Sequence, residues 1–241
     1  MFHSIKVLRL TVVVVVAVLC IGSIASAQTR PKNASKLAKA AKETQSAANT
    51  FTKIMNVPDK AIPQNLLDKA EAVAVFEMVK AGFIVGGRTG HGVISRRVPG
   101  GWSAPAFYNL NGASFGLQIG ASKTDVVLLF MNTGAVDSLM QDKFEIGGEG
   151  SIAAGPIGRS AAASTDAQLK AQILSYSRSK GLFAGLEIKG VVISPDNNDN
   201  EPVYGMKAEG VLSPARKWKL TAMPASVRIF PRTLARYSVR K

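Results

Sequence analysis

From Val73 onward, glycine repeatedly falls inside strand-like apolar runs rather than between them, and this restricts the fold more than any other feature of the chain. Gly116, Gly120, Gly185 and Gly190 all interrupt such patterns. In a strand interior, glycine weakens packing and marks a bend, a bulge or a close backbone approach. The expectation is an α+β fold, with a glycine-rich, strongly curved antiparallel β core (barrel or sandwich) and a few helices. Residues 114–121, "SFGLQIGA", alternate large and small, and residues 125–131, "DVVLLFM", read as a buried strand. Residues 171–193 read as two strands joined at 178–181. A short helix is expected near Pro63, and another after a capping Thr133.

The stretch "GFIVGGRT", residues 82–89, has the glycine spacing of a phosphate-cradling loop, but Arg88 stands where that loop needs lysine. The following residues, "GHGVISRRVPGGW", hold no helix start. Gly82, Gly86, Gly87, Gly90 and Gly92 therefore read as curvature, with a tight turn expected at Gly86-Gly87 or Gly90. An enzyme using Arg88 and Thr89 for phosphate, or His91 for hydrolysis, lacks the rest of its constellation.

The first residues lead to the expectation of an exported protein. A short basic start, the apolar run "TVVVVVAVLCIGSI" and the exit Ala25-Ser26-Ala27 describe a secretory signal peptide over 1–27, cut before Gln28. A retained anchor is the alternative, although the run is shorter than the ~20 residues that span a bilayer. Cleavage removes the one cysteine, Cys20, and leaves His91 as the one histidine. Disulfides, cysteine nucleophiles and Cys-rich metal sites are thereby excluded, and neither cofactor nor metal is expected.

Charge divides the rest. The whole chain carries +14, yet residues 57–212 hold 14 basic and 15 acidic residues. Residues 28–56 hold six basic and one acidic, and residues 213–241 hold eight basic and none acidic. Basic flanks on a near-neutral body seek an anionic surface, which for an exported protein is phospholipid rather than nucleic acid. The N-terminal segment, 28–57, is rich in helix formers, with Leu37, Ala40, Ala41, Thr44, Ala47, Ala48, Phe51, Ile54 and Met55 at helical spacing. That stripe suits either lipid or docking on the domain. Residues 213–241 read as a basic tail in which Trp218, among Arg216, Lys217 and Lys219, inserts at a membrane interface or packs on the domain.

The runs "KAGFIVGGRTGHGVISRR", "GGWSAPAFYNLNGASFGLQIGA" and "ILSYSRSKGLFAGLEIKG" resemble the SYLF domain, here bounded at 58–212. The resemblance implies membrane-lipid binding, with acidic phosphoinositides as ligands of eukaryotic members, and no catalytic residues. It also places Lys36, Lys39 and Lys42 where eukaryotic members have a basic amphipathic stretch at the membrane. Lys189 stands where an acidic residue is expected.

Together these readings describe an exported, peripheral lipid-binding protein of the bacterial envelope, probing anionic phospholipids from the periplasm. Arg88, Arg96, Arg97, Arg178 and Lys180, expected at turns, are candidate head-group contacts beside the flanking lysines, Arg216 and Trp218. The alternatives are a small outer-membrane β-barrel, against which the 7% aromatic content stands, and a structural envelope or stress protein.

Overall fold

A computed structural model describes residues 32–57, 61–148, 150–157, 170–179, 182–185 and 190–238. The expected signal peptide, Lys180 and Lys189 lie outside the described residues.

The core is built on two very long antiparallel strands, β1 (Ala72–Val98) and β3 (Ala106–Phe130). They pair from Ala72 opposite Phe130 to Ile94 opposite Ala106, and the register slips between Gly82 and Ile84. A short β2 (Gly101–Trp102) turns the chain back onto the end of β1. The expected turn at Gly86-Gly87 or Gly90 is not made, because all of residues 82–92 run within β1. A phosphate loop followed by a helix has no place there.

Neither long strand is straight. Val75 and Gly92 would be roughly 55 Å apart in an extended strand. Yet a methyl group built on Gly92 would sit 2.2 Å from the Val75 carbonyl oxygen, and one on Gly90 would sit 2.7 Å from that of Glu77. β1 therefore folds back so that carbonyls of its first limb press on glycines of its second. The bend falls where Gly82 faces Gly120 and Ile84 faces Gly116, at the register slip. The curvature read from the glycines is thus present, in one bent hairpin.

Because β3 bends too, one of its edges serves two neighbours. Residues 125–130 pair with β6 (Ile173–Ser179), and residues 108–112 pair with β8 (Val191–Pro195). β7 (Leu182–Gly185) pairs with β6, and β4 (Phe144–Ile146) pairs with β8, so the region read as two strands, 171–193, holds β6, β7 and the start of β8. β5 (Ile152–Ala154) runs parallel to β6, so the eight-stranded sheet is not wholly antiparallel. Residues 126–130 are fully buried, as their apolar run predicts.

Six α-helices among the described residues complete the α+β fold: α1 (Lys32–Met55), α2 (Gln64–Lys69), α3 (Thr133–Leu139), α4 (Asn197–Tyr204), α5 (Ala208–Leu212) and α6 (Ile229–Tyr237). The cap of α3 is Asn132, whose side-chain oxygen accepts from Ala135 N–H at 2.8 Å, and not Thr133. Of the predicted stripe on α1, Ala40, Thr44, Ala47, Ala48, Phe51 and Ile54 are buried in the core, so that face docks on the domain. Residues 213–238 are also part of the body rather than a tail. Val227, Phe230 and Leu234 are fully buried, and Tyr237 meets Phe51 edge-on at 5.8 Å.

Gly92→Ala should lower stability by about 3 kcal/mol, since the new methyl must displace backbone. Gly87, with nothing within 4 Å of an added methyl, should accept alanine within about 0.5 kcal/mol. Urea denaturation of the two variants checks both.

Candidate functional site

The cations of the chain divide into those the fold consumes and those it leaves outside. On α4, Asn200 is fully buried, and its amide makes a two-point clamp on β3: Oδ1 accepts from Phe107 N–H at 2.8 Å, and Nδ2 donates to Phe107 O at 2.9 Å. That clamp sets the position of its neighbour Asp199, whose side chain is 5% exposed. A buried carboxylate must be paired. Lys36 and Lys39, three apart and so on one face of α1, both donate to it, the Lys36 bond at 2.5 Å. Burial alone would raise the Asp199 carboxyl, but the two lysine bonds outweigh it and hold it below the ordinary range. Lys39 also lies 3.5 Å from Glu43, one turn further along α1. Glu43 is pushed above its ordinary value because burial disfavours its charge more than Lys39 and His91 favour it.

An open cleft of about 280 Å³ lies here, lined in part by Lys39, Glu43, Glu77, Thr89, His91 and Asn109. Glu77 is itself paired to Lys123 across the hairpin at 2.6 Å. Among the described residues, no group of three or more His, Cys, Asp or Glu side chains could hold a metal ion.

Arg96 and Arg97 do not lie at a turn, as the sequence reading expected, but near the buried end of β1. Arg96 Nη1 bonds to Asp137 on α3 at 2.9 Å. Arg97 donates to the carbonyls of Ala70 (3.1 Å) and Leu67 (3.2 Å) and to Ser238 Oγ, and stacks 4.0 Å from the centre of the Trp102 ring. A guanidinium carries enough donors to tie several chain segments at once. These two tie β1 to α3, to α2 and to the end of the C-terminal helix, so they are corrected from head-group contacts to internal struts. Arg88 in β1 and Arg178 in β6 are half-buried in strands rather than at turns.

The C-terminal cations stand differently. Trp218 donates its indole N–H to Val211 O at 2.8 Å and meets the Tyr204 ring at 6.1 Å, so it packs on the domain instead of inserting. Arg216 lies over the same ring, 5.4 Å from its centre, and donates to Gly210 O at 3.2 Å. The anchored tryptophan thereby holds a short exposed segment, with Lys217 and Lys219 outward and Leu220 38% exposed beside them. Lys42, Arg232 and Arg236 are exposed as well. Among the described residues, none of these cations pairs with a carboxylate.

Sequence reasoning missed Asp199, Asn200, Glu43 and Leu220. Asp199 lies in the polar run "PDNNDNEP", and nothing near it in sequence names partners at least 160 residues away.

The described residues form a bent-hairpin α+β domain with basic outer segments. A family model described as "Ysc84: Las17-binding protein actin regulator" matches residues 111–236, half of the chain. The chain belongs to this Ysc84 (SYLF) family. It is similar to "SH3 domain-containing YSC84-like protein 1" of Rattus norvegicus, 33% identical over 174 residues, 70% of this chain and 51% of the relative. It is also similar to "LAS seventeen-binding protein 3" of Saccharomyces cerevisiae, 40% identical over 172 residues, 68% of this chain and 38% of the relative. The chain thus spans about half or less of the length of these relatives.

Glu43→Gln should raise the melting temperature at pH 7. A folded-state value above the unfolded one makes the ionised Glu43 a cost that grows as pH rises through the folded value. The gain should vanish below about pH 3, where the carboxyl is protonated in both states. Thermal unfolding across that range checks it.

Proposed function

We propose that the protein is exported and binds anionic phospholipid membranes peripherally, from the periplasm of a bacterial envelope. The observation that carries this reading is the exposed segment around Arg216, Lys217 and Lys219. Its cations have no carboxylate partner among the described residues, and Leu220 stands beside them as an apolar contact. A cation near an anionic surface contributes about 1 kcal/mol within a Debye length, so three give a ceiling of roughly 3 kcal/mol, about a hundredfold in affinity. Export is supported by the basic start, apolar run and A-x-A exit of the sequence. No helix among the described residues is long and apolar enough to cross a membrane. The resemblance to a lipid-binding domain agrees with the same reading. A second reading, binding of a protein partner, draws on the matched family's description as Las17-binding.

The test is co-sedimentation of residues 28–241 with neutral and anionic vesicles at low and high salt. Removing residues 213–241 is not a usable control, since it takes away the buried Val227, Phe230 and Leu234. The control is the triple variant Arg216→Glu/Lys217→Glu/Lys219→Glu. Binding confined to anionic vesicles, released by salt and weakened at least tenfold in the variant, is the expected result. Absence of binding by the natural sequence would sink the membrane reading and leave the protein-partner one.

A further inference from the structure

The first two turns of α1 are held differently from the rest of that helix. From Ala40 onward the helix is sealed by buried side chains at nearly every turn, through Phe51 and Ile54. Before Ala40 no apolar side chain among the described residues is buried: Ala34 and Ala38 are exposed, and Leu37 is 37% exposed. Among the described residues, what ties this part to the domain is the pair of bonds from Lys36 and Lys39 to Asp199. Those lysines remain 38% and 49% exposed even when paired, so a second anion can approach them from outside. Lys42, exposed and without a carboxylate partner, lies one turn further on.

The geometry points to Asp199 as an electrostatic latch. It holds residues 32–39 on the domain, and an anionic surface that takes Lys36 and Lys39 from it releases those turns as a second membrane contact. This rests on the membrane reading above and adds its regulation. With the latch closed, the two lysines are neutralised and only Lys42 of the three is free. With it open, Lys36, Leu37, Lys39 and Lys42 form a short cationic stretch with an apolar member, suited to lying at a head-group layer. The opposing cost is that Asp199 loses its partners while still clamped in place by Asn200, and Glu43 loses Lys39. The position of Asp199 in the first turn of α4 offsets part of that cost, because the helix N-terminus favours negative charge. The balance makes the second contact conditional on a surface dense in anionic charge.

Asp199→Asn keeps the shape and removes the charge. On vesicles rich in phosphatidylglycerol it should bind about tenfold tighter than the natural sequence, two freed lysines being the gain. Without vesicles, hydrogen exchange at the amides of residues 36–40, which bond back to residues 32–36, should speed up while residues 126–130 stay protected. Lys36→Gln/Lys39→Gln should free the same amides with no gain in vesicle affinity, separating released charge from mere fraying. Unchanged exchange in both variants overturns the latch. So does unchanged vesicle affinity of Asp199→Asn when the natural sequence binds. If the natural sequence binds no vesicle, the membrane reading fails on its own, and the exchange measurement still decides whether Asp199 holds these turns.

Discussion

Everything in this fold depends on a contact that only glycine permits, the Val75 and Glu77 carbonyls pressed against Gly92 and Gly90. A strand of 27 residues cannot bury one continuous face in a domain this small unless it doubles back. Folding β1 on itself closes much of the sheet without a third layer. It also bends β3, since the two are hydrogen-bonded along their length, and the bent β3 can then accept β6 along one limb and β8 along the other. The sheet order is thus a consequence of the hairpin's curvature.

The helices close what the hairpin leaves open, burying apolar faces, and a few buried polar groups fix where they sit. Arg97, Asn200 and Thr44 each sit in the interior with backbone partners from distant segments: Leu67 and Ala70, Phe107, and Ser226. A buried donor without an acceptor costs about 1 to 3 kcal/mol, so such residues specify which segments may meet. They bind the C-terminal segment and α1 into one body with the sheet. The charge asymmetry of the sequence is therefore not one of free tails around a domain.

This matters for function because a cation used inside a protein is not available outside it. Arg96 and Arg97 are spent within the body, and Lys36 and Lys39 are engaged by Asp199. Lys42, Arg216, Lys217, Lys219, Arg232 and Arg236 remain as outward charge. Trp218 changes role in the same way. Its amphipathic ring suggests an interface, but the Val211 carbonyl satisfies its N–H, and what it contributes is the fixed presentation of its basic neighbours.

Glycine spacing, apolar runs and helical stripes act over a few residues, and so the sequence by itself determined the α+β class, the curvature, a buried strand within 125–131, the apolar stripe of α1 and the family, while what that stripe packs against was left to the tertiary structure. The bend of β1 onto itself, by contrast, was read as a turn. The same pattern of glycines serves either, and only the neighbour that presses on Gly92 distinguishes them. The core role of residues 213–238 was hidden because Val227, Phe230 and Leu234 stand among six cations, and charge dominates composition there. Which cations are free was decided by tertiary structure alone. An ion pair depends on groups brought together from 160 residues apart, and no local pattern on α1 announces the carboxylate on α4 that meets it.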